Sequence, residues 1–217
     1  MLDLVDIIEC RDIEKVKHLL SLDSTDPNQK DQETGETALH KAVDLGYPEI
    51  VEQLLLHPLT NPNTFNTDGF SPFHLSVYNQ DEECVDLFLS SNKFVDINLK
   101  TRSYKRETVL HMAETEEILR LLLKRSDLNV NIQDFHGQTP LHMFSYRCDE
   151  NRSYFGETLI PILLEARPDV NPFLLDQTGK SPDETAALSE RNEYGEHEPL
   201  TIQETILKFQ HKKKKNF

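Results

Sequence analysis

Tryptophan is absent from the 217 residues, and seven glycines are few for a β-rich chain. Three cysteines, Cys10, Cys84 and Cys148, lie far apart and are odd in number, which excludes a disulfide framework and fits a reducing compartment. They form no Cys-x-x-Cys pair or Cys/His pair at metal spacing, so no cofactor or metal is expected. No apolar run approaches the roughly 20 residues of a membrane span. The opening "MLDLVDIIECRD" carries acids where an export signal needs bases. The expectation is a cytoplasmic protein. Basic charge is scarce too: 23 Lys and Arg stand against 38 Asp and Glu, a net −15. A phosphate backbone would be repelled by such a surface, which argues against general nucleic-acid binding and for a protein partner with a basic surface.

One short string recurs. "TALH" starts at Thr37, "SPFH" at Ser71, "TVLH" at Thr108 and "TPLH" at Thr139, with a degraded "SPDE" at Ser181; the intervals are 34, 37, 31 and 42. Asn28, Asn63, Asn98, Asn131 and Asn171 recur in phase, and Gly35, Gly69, Gly137 and Gly179 stand two residues before the string. Two short helical signals lie between the markers. The first opens on Thr or Ser as N-cap, with Pro72 and Pro140 at the first helical position. The second has paired apolar residues one turn apart, such as Ile50-Val51 with Leu54-Leu55 and Cys84-Val85 with Phe88-Leu89. Each unit has one apolar face and must stack on its neighbours to bury it.

This pattern resembles the ankyrin repeat, whose motif runs D-x-x-G-x-T-P-L-H-x-A with a period near 33 residues. The resemblance implies an all-helical solenoid over residues 1–210 with hairpin-like turns along one edge. The expected units are a capping repeat at 1–30, repeats at 31–65, 66–100, 101–133 and 134–173, and a degenerate capping repeat at 174–210. A basic tail fills 211–217. The resemblance also implies that His40, His74, His111 and His142 tie each turn to a helix start and are neither catalytic nor ligating. "TGKS" at Thr178 ends like a phosphate-binding loop, but Leu174 stands where that motif needs glycine.

Some units break the pattern. The third lacks four residues between its helices, so its first helix should be about a turn shorter. The fourth gains seven residues within Arg147 to Glu157, and Pro161 suggests that its second helix begins near Thr158. Phe144 stands where the motif wants alanine. The third hairpin is longer and has Arg106 in place of glycine, with Arg102 and Lys105 around Tyr104.

The resemblance implies protein recognition without catalysis, by an adaptor or inhibitor that is a monomer alone. Its partner would meet the hairpin tips and first helices. Carried over by position, that surface comprises Glu33, Glu36 and Asp44, then Asp68, Phe70 and Tyr78. The third unit adds Tyr104, Lys105 and Glu107, and the fourth adds Phe135, His136, Tyr146 and Arg147. The aromatics among them are expected as exposed anchors. Three alternatives stand: an inhibitor of a Rel/NF-κB-type transcription factor, a pathogen effector acting on host proteins, or an assembly factor of a larger complex. Lys212, Lys213, Lys214 and Lys215 offer a nuclear localisation signal, or a solvated tail.

Overall fold

A threonine or serine followed by helix formers starts each motif helix, and a second amphipathic helix follows after a short turn. In the computed structural model, which describes residues 4–22, 24–146, 155–189, 204–209 and 211, this unit recurs along the chain. The chain divides into two units, Met1–Met112 and Ala113–Phe217.

The first unit contains α1 (Leu4–Glu9), α2 (Ile13–Leu20), α3 (Ala38–Asp44), α4 (Pro48–Leu56), α5 (Pro72–Tyr78), α6 (Glu82–Ser90) and α7 (Val109–Met112). Helix α3 packs between α1 and α5, and α5 meets α7, which makes a layer of first helices. A layer of second helices runs from α2 through α4 to α6. Between the layers lie Leu39, Val51, Leu54, Phe73, Phe88 and Leu110, all buried, with Phe73 and Phe88 at 5.4 Å between ring centres. Cys84 is buried among them, and burial pushes its thiol pKa up. Asp12 and Asp81 cap α2 and α6 by accepting the amides of Lys15 and Cys84, both at 3.0 Å.

The second unit contains α8 (Glu116–Leu123), α9 (Pro140–Tyr146), α10 (Phe155–Ala166) and α11 (Pro182–Ser189). Helix α10 packs on α8 and α9, and α11 packs on α9. Residues 204–209 are also helical, with Ile206 buried. Phe144 is fully buried, so the position that favours alanine holds a phenyl ring inside the core.

Helix α7 has four residues against seven in α3, α5 and α9, the shortening expected of the third unit. Helix α10 departs from expectation. It begins at Phe155 rather than near Thr158, so Pro161 lies in its interior. The ring forfeits the amide that would have reached the carbonyl of Glu157. The apolar run Leu159, Ile160, Leu163 and Leu164 remains buried, and packing outweighs that one bond.

The motif histidines join one repeat to the next. The amide of Thr37 donates to His40 Nδ1 at 3.1 Å, and that of Ser71 to His74 Nδ1 at 3.3 Å. Thr108 and Thr139 do the same for His111 and His142, at 3.2 and 3.1 Å. A ring nitrogen that accepts an amide proton carries none, so the proton sits on Nε2. From there it is donated to a carbonyl in or at the edge of the following repeat: Phe70 at 3.0 Å from His40, Leu99 at 2.9 Å from His74 and Lys180 at 3.1 Å from His142. The asparagines are a second stitch. Asn28 donates to the Leu59 carbonyl at 2.7 Å and accepts the Asn61 amide at 2.7 Å. Asn63 repeats this with Phe94 and Asp96, and Asn131 with Asp169 and Asn171.

At the degraded string Glu184 takes the place of histidine. Its Oε2 accepts the amide and the hydroxyl of Ser181, each at 2.9 Å, and these bonds hold its carboxyl below the ordinary range. This is the side-chain half of a capping box. The carboxylate closes the helix start without the second nitrogen that would reach onward.

Burial lowers the pKa of His40 and His74 from 6.5 to about 4, and that of His142 in the same direction. The folded chain therefore resists protons that the unfolded chain accepts. The stabilisation is complete above pH 6.5 and is lost as pH falls through the window towards 4. Each buried histidine should contribute a slope of up to about 1.4 kcal/mol per pH unit there. Unfolding in urea at pH 7, 6 and 5 should show this fall. His74→Ala should lose about 1–3 kcal/mol at pH 7 and have a shallower pH slope. A flat wild-type profile would contradict buried neutral histidines.

Candidate protein-interaction surface

The candidate residues stand mostly on tight hairpins, and local chemistry makes those hairpins rigid. Each is closed by an amide–carbonyl bond: Asp31 to Glu36 at 2.8 Å, Asn66 to Phe70 at 2.9 Å, Thr101 to Glu107 at 2.8 Å, Asp134 to Gln138 at 2.8 Å, and Asp176 to Lys180 at 2.8 Å. The opening Asp or Asn also accepts amides inside its own turn. Asp31 Oδ1 takes Glu33 at 2.9 Å and Thr34 at 2.7 Å, and these bonds lower its pKa. Asp134 takes His136 and Gln138 at 2.7 and 2.9 Å. Gly179 and Lys180 of the "TGKS" string belong to the last such turn, which accounts for that string without a nucleotide.

Successive hairpins are bonded side by side. The Thr67 amide donates to the Thr34 carbonyl at 2.8 Å, and the Arg102 amide to the Gly69 carbonyl at 2.8 Å. In the second unit the Gln177 amide donates to the His136 carbonyl at 2.9 Å. This closeness explains one glycine directly. A Cβ on Gly69 would lie 2.7 Å from both the Arg102 carbonyl carbon and the Ser103 nitrogen, and its φ is +83°. The third hairpin meets the same left-handed requirement with Arg106 at φ +54°.

In the first unit, Glu33, Asp44 and Asp68 are exposed, whereas Glu36 is half-buried. Burial, followed by repulsion from Asp44, raises the Glu36 pKa. Tyr78 is 65% exposed at the end of α5, and its ring lies 5.9 Å from Phe70. Phe70 is half-buried, with its edge against His74, so it supports Tyr78 more than it projects. Tyr104 is 75% exposed at the tip of the third hairpin, with Lys105 Nζ 6.0 Å from its ring centre. The Arg102 guanidinium stacks on Phe65 at 4.2 Å. Glu107 departs from expectation. It is 8% exposed, because the closing strand of the hairpin turns it inward.

In the second unit, Phe135 is 54% exposed and rests edge-on against His136, which is also exposed. Tyr146 ends α9. Arg147 and Lys212 to Lys215 lie outside the described residues, as does most of the inserted segment.

Sequence reasoning missed a further apolar feature. Leu56 at the end of α4, and Leu59 and Phe94 on the loops after α4 and α6, are exposed, and Leu56 lines a groove of about 380 Å³ with Leu55, Pro58, Leu87 and Lys93. The signal was present: Leu59 and Phe94 are apolar at an offset of 35, each in the loop that follows a second helix. Among the described residues no group of His, Cys, Asp or Glu is placed to hold a metal, and no helix is long and apolar enough to cross a membrane.

Stacked helix pairs with hydrogen-bonded hairpins and exposed aromatic tips define the repeat scaffolds on which proteins are recognised. The fold is that of ankyrin repeats, and residues 4–101 match the family described as ankyrin repeats in three copies. The chain is 36% identical over 107 residues to human BCL-6 corepressor-like protein 1, covering 49% of this chain and 6% of that protein. It is 30% identical over 118 residues to the chicken nuclear factor NF-kappa-B p105 subunit, covering 52% and 12%. The chain thus spans a small part of both relatives. The fold matches that of an ankyrin repeat domain from Acinetobacter baumannii, at TM-score 0.78 and 23% identity over 95% of this chain and 97% of that one. It also matches the ankyrin repeat domain of Bcl-3, described as a unique member of the IkappaB family, at 0.76 and 23% over 94% and 81%.

Two consequences are measurable by thermal or urea unfolding. Tyr78→Ala and Phe135→Ala should unfold within about 0.5 kcal/mol of the parent, as surface changes do, while Phe73→Ala should lose about 3–5 kcal/mol. Early unfolding of both surface variants would place those rings in the core. Gly69→Ala should lose at least about 2 kcal/mol, since left-handed strain adds to a backbone clash. Arg106→Gly should be close to neutral: relief of about 1 kcal/mol of strain offsets the extra freedom of the unfolded chain. A marked gain or loss would show that Arg106 is held by something other than its turn.

Proposed function

We propose that the chain binds a protein partner, without catalysis, on the side formed by its hairpins and first helices, and acts as an adaptor or inhibitor. The exposed aromatic rings carry this reading. Tyr78, Tyr104 and Phe135 project from backbone fixed by hydrogen bonds, so little backbone freedom remains to be lost on binding. Large rings left in water on rigid supports are the residues from which interface anchors are drawn. The acidic excess selects a partner with positive surface. The setting is cytoplasmic, with nuclear entry through Lys212 to Lys215 as the further possibility that the sequence offers.

A second reading, inhibition of a Rel/NF-κB-type transcription factor, is favoured by the likeness to the Bcl-3 domain and to the p105 subunit. Purified Rel-type dimers titrated with the full chain distinguish it from the general reading.

For a partner recovered from the native cell and then purified, Tyr78→Ala or Phe135→Ala should weaken binding by at least about 2 kcal/mol, against under 1 for Lys17→Ala on a second helix. Association should slow as salt rises. Normal binding by both aromatic variants would move the interface elsewhere, and salt-independent association would remove electrostatic steering.

A further inference from the structure

The charges on the hairpin side of the first unit are sorted. Glu33, Glu36, Asp44 and Asp68 stand on the first two hairpins and α3, and none makes an ion pair among the described residues. The third hairpin has the opposite sign. Arg102, Lys105 and Arg106 are exposed there, and the two arginines have no ion pair among the described residues. Lys105 reaches only Glu107, at 3.9 Å. The aromatic pair Phe70 and Tyr78 belongs to the middle hairpin and the helix it opens. Neighbouring hairpins are tied by backbone bonds at 2.8 Å, so the order of acid, aromatic and base is fixed by the fold.

Opposite charges on adjacent hairpins would gain by pairing with each other, yet no ion pair joins the two sets. Arg102 instead places its guanidinium over the Phe65 ring, 4.2 Å from its centre. Arg106 occupies a left-handed position where glycine would be easier, which keeps a cation at the tip.

We infer that the first unit binds a partner segment of reciprocal charge order, basic where it crosses Glu33 and Asp68, apolar at Tyr78, and carboxylate-bearing where it meets Arg102, Lys105 and Arg106. The inference rests on the protein-binding reading above and specifies its ligand. A uniformly basic segment would satisfy the acidic hairpins but set cations against the two arginines, a like-charge penalty that discriminates against it. Repeats spaced about 10 Å apart put the two ends of the strip about 20 Å from each other, a distance covered by about six residues of extended chain.

Four fluorescein-labelled synthetic peptides of about a dozen residues test this on the full chain. All share a Leu-Tyr centre. Two are flanked by lysines on one side and glutamates on the other, one in each chain direction; one has lysines on both sides; one has glutamates on both. The better bipolar peptide should bind at least about tenfold tighter than either uniform one. Lys105→Glu with Arg106→Glu should reverse the preference, weakening the bipolar peptide and strengthening the all-lysine peptide by a similar factor. Both sites are exposed, and an unchanged unfolding midpoint confirms the fold. Should that variant not fold, the wild-type comparison stands without it. Equal or tighter binding of the all-lysine peptide to wild type overturns the charge order and leaves the protein-binding reading intact. Failure of every peptide to bind removes both from this face.

Discussion

One contact recurs at His40, His74 and His142, and the architecture depends on it: a histidine held between two backbones. Its Nδ1 takes the amide at the start of its own helix, and its Nε2 proton reaches a carbonyl of the next repeat. The first bond satisfies a helix-end donor that would otherwise lack a partner. The second fixes the distance between repeats. Both require the neutral ring in one tautomer, and burial enforces that state by making the imidazolium costly. The apolar layers supply most of the energy, but they could slide. The histidines and the in-phase asparagines set the register, because a displaced repeat would leave buried polar groups unsatisfied.

Register at the core becomes order at the surface. Hairpins bonded amide to carbonyl present their tips at fixed spacing, and the side chains on them inherit that spacing. The third hairpin departs from the rule. Thr101 replaces the opening Asp and bonds to Ser103 at 2.9 Å, and Arg106 replaces the glycine. The turn still closes, from Thr101 to Glu107. A modest amount of backbone strain leaves a cationic, aromatic tip on an otherwise acidic chain.

The repeat was legible because stacking demands the same chemistry at each step, so Thr, His, Asn and Gly return in phase. The shortened α7 was legible as a deletion between two fixed markers. The start of α10 was not, because the proline argument treats a helix in isolation, whereas Leu163 and Leu164 are held by packing. Glu184 was read as loss of the motif, although a carboxylate can perform the capping half of the histidine's task. Site residues were legible in part. Tyr78, Tyr104 and Phe135 are exposed as the pattern implied, while Phe70 leans on His74 and Glu107 turns inward. One residue's displacement along a hairpin strand decides which way a side chain faces, and residue spacing alone is too coarse for that. The exposed Leu59 and Phe94 went unread because loops are expected to be polar.

The role of the histidines is tested most directly by their ring nitrogens. Nitrogen NMR of the imidazoles resolves tautomer and protonation together. His40, His74 and His142 should each show a bare Nδ1 and a protonated Nε2 at pH 7, and His40 and His74 should stay neutral below pH 6.5 until the fold itself is lost. Rings that titrate near 6.5 while the chain remains folded, or that carry the proton on Nδ1, would contradict the account.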